Sequence, residues 1–159
     1  MTQKGESRGK RERGKTKTVA DVMVADVVTV EPAASLTDAA RIMDQENVGM
    51  LPVVDDGRVL GVITDRDIVV RAVARGADPS ATNVHECLTS SVHLARPDWT
   101  TDEALKTMAE AQVGRLPVIG EDESLVGVVT LSSMAYRAPK KDEALETAQE
   151  VSRRSARSA

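Results

Sequence analysis

The sequence predicts an α/β (α+β) fold in which two copies of one small unit pack on each other. Three observations lead there. Short Val-rich runs alternate with runs holding Ala, Leu and Met at helical spacing, the pattern of strands layered on helices. The whole pattern then recurs once, at a constant offset of about 65 residues, longer than a solenoid period. Finally, Gly61-Val-Ile-Thr-Asp-Arg-Asp67 and its altered copy Gly127-Val-Val-Thr-Leu-Ser-Ser133 each read as a buried strand running straight into a helix.

The 159 residues suffice for one domain of ordinary size, and 41% of them are apolar. Phe is absent and Trp and Tyr occur once each, so Val, Leu, Ile, Ala and Met must fill the core. The one cysteine, Cys87, excludes an intramolecular disulfide and a cysteine-built metal cluster, which fits a reducing cytoplasm. No apolar run is long enough to span a membrane, and the basic N-terminus leads into no apolar signal core. The net charge of −4 hides an asymmetry, because residues 1–17 are dense in Lys and Arg. Such an arm is a disordered solubilising tail, or a salt-sensitive contact for RNA, DNA or an acidic partner without aromatic platforms.

Folding is expected from about Thr18. Residues 19–23 form a short apolar turn, and 26–30 read as a strand that Pro32 ends. Ser35 caps a helix over 36–47, with Asp38 at its third position and Leu36, Ala39, Ala40 and Met43 on one face. Gly49 is placed to end that helix in a left-handed conformation. Residues 51–54 and 59–63 read as strands joined by the turn Asp56-Gly57, with Pro52 marking an edge or an unpaired end. A second helix follows Thr64, with Ile68, Val69, Ala72 and Val73 on its apolar side, and stops near Gly76. Residues 77–83 are the linker.

The second unit, 84–138, repeats the first, 18–76, piece by piece. Residues 84–88 echo 19–23, Thr100 with Glu103 renews the helix cap, and Ala104, Leu105 and Met108 renew the apolar face. Val113-Gly-Arg-Leu-Pro-Val118 matches Val48-Gly-Met-Leu-Pro-Val53, with one residue inserted in the hairpin turn that follows. Pro139 shortens the last helix of the unit. In the closing segment, 139–159, residues 140–154 have helix-forming composition with Ala144, Leu145, Ala148 and Val151 on one face, and 152–159 read as disordered.

Thr64 and Asp67, three apart at a helix start, permit two chemistries. They cap the free N–H groups of the helix, or they take the hydroxyls of a ribose whose phosphate faces those groups. Other residues point to structure. His85 and His93 with Cys87 complete no familiar metal spacing. Cys87, Met23, Met43, Met108 and Met134 fall on core positions, and Trp99 packs over a helix start. Gly-x-Ser-x-Gly, a phosphate loop and His-Glu-x-x-His are all missing, so no catalytic residue is assigned and the chain reads as no enzyme.

Two tandem units carrying Val-Gly-x-Leu-Pro-Val, a short turn and then Gly-Val-hydrophobic-Thr resemble a cystathionine-β-synthase (CBS) domain pair. The resemblance spans roughly residues 18–137, as a stand-alone pair without a catalytic domain, and the stretch 64–79 is similar to actinobacterial proteins of the hypoxic-response type. It implies a disc of two βαββα units related by a pseudo-twofold, often dimeric, with adenine nucleotides in the clefts between units. In the family pattern Gly-hydrophobic-x-Thr-x-x-Asp, Thr64 and Asp67 would hold ribose and Arg66 a phosphate. The opposite unit would add Thr89 to Val92, Leu116 and Pro117 against the base, and Arg115 to a phosphate. In the second copy Ser133 replaces the carboxylate. The cleft of Thr130, Ser133, Met23, Val24, Met50, Leu51 and Pro52 is therefore expected to be degenerate, weak or empty.

The expected function is a regulatory, non-enzymatic module that senses AMP, ADP, ATP or S-adenosylmethionine as a non-obligatory ligand through dimer shape or partner binding. The alternative is a ligand-free CBS-pair scaffold that dimerises and engages a protein partner. No metal is expected.

Overall fold

Hydroxyl and carboxylate pairs three residues apart set where the helices begin. In the computed structural model, which describes residues 16–137 and 141–157, the backbone N–H of Thr18 donates to Asp21 at 2.9 Å before helix α1 (Val19–Val22). Ser35 caps α2 (Leu36–Gln45). Strands β1 (Met50–Asp55) and β2 (Arg58–Thr64) form an antiparallel hairpin. Asp56 and Gly57, both at positive φ, make its two-residue turn as the Asp-Gly signal requires. Helix α3 (Asp65–Asp67) follows at once and continues through a π turn (Ile68–Ala72) and a 3-10 turn (Val73–Arg75) to Gly76, at φ +71°.

The second unit repeats this order. Asn83 and Glu86 cap α4 (Val84–Cys87), and Thr100 and Glu103 cap α5 (Thr101–Ala111). Strands β3 (Arg115–Ile119) and β4 (Leu125–Thr130) form the second hairpin, followed by α6 (Leu131–Arg137) and α7 (Lys141–Arg157).

The two units exchange their leading helices. Val19 and Val22 of α1 are buried with Leu105, Met108, Leu116 and Val129 of the second unit. Val84 and Cys87 of α4 are buried with Leu36, Leu51, Ile63 and Ile68 of the first. The segments after α1 and α4 then pair with the opposite hairpins. Val24 bridges Val128, and Thr89 bridges Val62. Each partner of these bridges is the residue opposite a hairpin proline, Val62 facing Pro52 and Val128 facing Pro117. The missing proline N–H therefore costs nothing within the hairpin, because Val62 and Val128 direct their own backbone groups outward.

Several expectations are corrected. Residues 26–30 do not form a strand; only Val30 bridges Val53, because the chain there is held by that one parallel contact and Val28 faces solvent. The left-handed residue after α2 is Asn47, at φ +52°, rather than Gly49. Gly49 instead lies against Asp65, whose N–H donates to its carbonyl. Ala40 is exposed, and Ile42 packs on the core in its place. Val69 and Val73 are also exposed, while Ile68 and Ala72 are buried, since the π turn shifts the face that follows it.

Helix α7 runs to Arg157, so residues 152–157 are helical rather than disordered. It docks on α5 and α6 of its own chain with Ala144 buried in the second core, whereas Leu145 is exposed. The basic arm lies outside the described residues apart from Thr16 and Lys17. Lys17 is already tied down, its carbonyl accepting from Thr101 N–H.

Candidate functional site

Strand alternation decides which side chains reach the space between the units. On β1 and β3 the core takes Leu51, Val53, Leu116 and Val118, so Met50, Pro52, Arg115 and Pro117 face the other way. On β2 and β4 the same rule sends Ile63 and Val129 inward and leaves Val62, Thr64, Val128 and Thr130 outside. Two clefts result.

The first cleft has a volume of about 520 Å³. Its first-unit wall carries Met50, Val62, Thr64 and Arg66, and its second-unit wall carries Thr89, Val92, Arg115 and Pro117. Thus six of the eight residues expected in the intact site are brought together. Leu116 is not among them: it is 1% exposed in the second core, because it is one residue out of phase with Arg115 and Pro117. Asp67 does not line the cleft either. Its Oδ2 accepts from Thr64 N–H at 3.0 Å, and its Oδ1 lies 3.3 Å from Nη2 of Arg71. Asp67 N–H in turn donates to Thr64 Oγ1 at 3.0 Å, which completes a capping box.

Sequence reasoning missed Val62, Asp65, His93 and Val113 in this cleft, and placed Met50 in the other one. Alternation from Thr64 points to Val62; nothing local in the sequence points to His93, whose reading there is a surface or partly buried structural histidine. Among the described residues, neither Arg66 nor Arg115 takes part in an ion pair. Their guanidiniums are therefore available at the cleft, with the Asp65 carboxylate as the opposing charge.

The second cleft, about 280 Å³, is lined by Val24, Met50, Pro52 and Thr130 as expected. Met23, Leu51 and Ser133 do not line it. Ser133 imitates Asp67 as a cap: its Oγ accepts from Thr130 N–H at 3.0 Å and its N–H donates to Thr130 Oγ1 at 2.9 Å. Asp26 and Glu46 stand on the wall of this cleft, and Arg115 reaches it as well. One cleft thus offers two guanidiniums to one carboxylate, and the other two carboxylates to one guanidinium.

Among the described residues, no group of three or more His, Cys, Asp or Glu side chains is placed to hold a metal ion. His85 and His93 are exposed, and Cys87 is buried, where desolvation pushes its thiol pKa up.

A model of the CBS domain matches residues 19–73 and again 84–138. The chain belongs to the CBS domain family. As a tandem CBS pair it is 39% identical over 124 residues to hypoxic response protein 1 of Mycobacterium tuberculosis, covering 77% of this chain and 86% of that one. It is 38% identical over 117 residues to the CBS domain-containing protein YhcV of Bacillus subtilis, covering 74% and 82%. The crystal structure of hypoxic response protein I, with two coordinated zinc ions, aligns with a TM-score of 0.69 over 76% of this chain and 98% of that one, at 39% identity. The CBS pair of MJ0100, in complex with 5-methylthioadenosine and S-adenosyl-L-methionine, aligns at 0.68 with 27% identity over 77% and 95%. CBSX2 in complex with AMP aligns at 0.68 with 26% identity over 77% and 96%. CBS domains also occur inside enzymes, among them the archaeal inosine-5'-monophosphate dehydrogenase, of which this chain covers only 23%. No helix among the described residues is long and apolar enough to cross a membrane.

Proposed function

We propose that this CBS pair is a regulatory, non-catalytic module that binds an adenine nucleotide or an adenosyl relative in the first cleft. One observation carries the reading. A cleft of about 520 Å³ between the units combines the Thr64 hydroxyl, two guanidiniums and apolar walls, a size and lining suited to a small organic ligand. The AMP complex of CBSX2 and the adenosyl complex of MJ0100 support the ligand class.

In this reading Thr64 meets the ribose; its oxygen already accepts from Asp67 N–H, which leaves its own proton to donate. Arg66 and Arg115 hold the phosphate, and Val62, Val92 and Pro117 flank the base. Asp67 reaches a ribose hydroxyl by sharing the oxygen now facing Arg71. The carboxylates of Asp26 and Glu46 repel phosphate from the second cleft, so one nucleotide binds per chain. Ligand binding shifts the balance between arrangements of a cytoplasmic homodimer by differential affinity. Val70 and Tyr136, at corresponding positions of the two repeats, are exposed and supply apolar surface for a second copy.

Calorimetric titration with AMP, ADP, ATP and S-adenosylmethionine tests the reading. One site per chain is expected, with affinity at least about tenfold weaker in Arg115→Ala, since a charge-assisted hydrogen bond is lost. Absence of binding by all four at millimolar concentration refutes it. A second reading, a ligand-free scaffold, is favoured by the Asp67 carboxylate, both of whose oxygens are engaged within the chain, by Thr64 N–H and by Arg71. A dimer whose scattering profile ignores all four compounds would support that reading.

A further inference from the structure

Arg71 lines neither cleft, yet it ties the two walls of the first one together. Its Nη1 donates to the carbonyl of Cys87 at 2.8 Å and to that of Leu88 at 2.9 Å, at the C-terminal end of α4. Its Nη2 faces Asp67, the residue that completes the Thr64 cap. Asp67 caps the helix start that carries Thr64 and Arg66 of the first-unit wall. Leu88 leads directly into Thr89 on the second-unit wall, and Thr89 exchanges both backbone hydrogen bonds with Val62, at 3.0 and 2.8 Å. Three acceptors on two elements are thus served by one planar fork, a task the guanidinium performs and a lysine ammonium does not.

We propose that Arg71 is a positioning residue for the first cleft, fixing the wall of Thr89 and Val92 against the wall of Thr64 and Arg66. The binding consequence rests on the reading of that cleft as a ligand site; the structural consequence does not. The second repeat supplies the contrast. Arg137, which corresponds to Arg71, donates to the carbonyl of Met23 at 3.2 Å, but Ser133 stands where Asp67 would supply a carboxylate. The seam at Thr89–Val62 is therefore held through a carboxylate–guanidinium–carbonyl chain, and the corresponding seam at Val24–Val128 lacks the carboxylate link. A ribose hydroxyl that draws on Asp67 also draws on the group that orients Arg71, so occupancy of the cleft and the grip on α4 are linked.

Amide hydrogen exchange, followed by NMR in the full chain, tests this with an internal control. In Arg71→Met, exchange at Thr89 and Val62 is expected to quicken by about tenfold or more, while Val24 and Val128 stay within about twofold of the parent. Arg71→Lys is expected to fall between the two. A merely structural role would loosen all four amides together. Equal acceleration at both seams, or no change at Thr89 and Val62, overturns the proposal. Should Arg71→Met fail to fold, the same comparison in Arg71→Lys decides between these outcomes.

In parallel, AMP affinity is expected to weaken by about tenfold in Arg71→Met, as the two walls lose register. If the parent protein binds no AMP, the proposed function fails, and the exchange comparison still decides the role of Arg71. If AMP binds the parent and both variants equally while Thr89 loosens, Arg71 positions the seam but not the ligand, and the proposal is overturned as stated.

Discussion

Gly61→Ala probes the contact on which the exchanged architecture depends. A Cβ at Gly61 would stand 2.7 Å from Cδ1 of Leu88 and 3.0 Å from the carbonyl carbon of Thr89, and would overlap the Thr89 oxygen outright. Leucine can rotate away, but the Thr89 carbonyl is backbone. It must retreat by about 0.5 Å or more to restore an ordinary carbon–carbon separation of roughly 3.5 Å. That retreat strains the two hydrogen bonds that Thr89 exchanges with Val62, each worth about 1 kcal/mol net. Overpacking adds about 1–3 kcal/mol. The sum is about 3–5 kcal/mol, or a fall in Tm on the order of 10 °C for a chain of this size.

Thermal and urea unfolding followed by far-UV circular dichroism measure it against two controls. Gly57→Ala meets open space but sits at φ +79°, so about 1 kcal/mol is expected from backbone strain. Gly114→Ala meets only Leu131 Cδ1 at 3.5 Å, an ordinary contact, so its effect should stay within about 0.5 kcal/mol. A Gly61→Ala protein no less stable than Gly57→Ala would refute the reasoning.

Leu116→Ala should cost about 2–5 kcal/mol in urea unfolding, as a buried side chain leaving a cavity, whereas Arg115→Ala, one residue away and exposed, should cost under about 0.5 kcal/mol. Equal losses would contradict the strand alternation that sends the two to opposite sides. The Thr100 cap gives a pH prediction. Hydrogen bonds from Thr100 hold the Glu103 carboxyl below its usual range. A depressed carboxylate stabilises the fold fully above its unfolded pKa, about 4.3, and that contribution disappears as pH falls through the lower folded value. The stability gap between the parent and Glu103→Gln should accordingly be constant from pH 7 to about 5 and shrink below about 4; a gap that widens on acidification would reverse the sign. Cys87 is 4% exposed and burial raises its thiol pKa. Its alkylation at neutral pH should therefore be slow in the native protein and quicken in parallel with unfolding in urea. Rapid native alkylation would place the thiol outside the core.

Hydroxyl–carboxylate pairs were legible in the sequence because a cap is built from residues three apart. Ser35 with Asp38, Thr64 with Asp67 and Thr100 with Glu103 all appear where local spacing puts them. The Asp56-Gly57 turn was legible for the same reason, since two adjacent residues at positive φ define it. The helix ends were less so. Asn47 and Gln112, rather than the nearby glycines, take the left-handed conformation, because packing of the following strand fixes where the chain must turn. The intact cleft was legible where the repeat could be read against a family pattern, through Thr64, Arg66, Thr89, Val92, Arg115 and Pro117. It failed at Leu116, where a contiguous stretch was assigned without its alternation, and at His93, which enters the cleft from the irregular segment after α4.

The sequence by itself determined the two repeats, the capped helix starts, the hairpins and the loss of the carboxylate at Ser133, because each depends on residues close together in the chain. Only the tertiary structure decided that α1 and α4 each lie in the core of the opposite unit, and that Arg71 reaches the carbonyls of Cys87 and Leu88. Those contacts join segments of different repeats. Their partners are selected by the shape and burial of the whole assembly, which no local periodicity records.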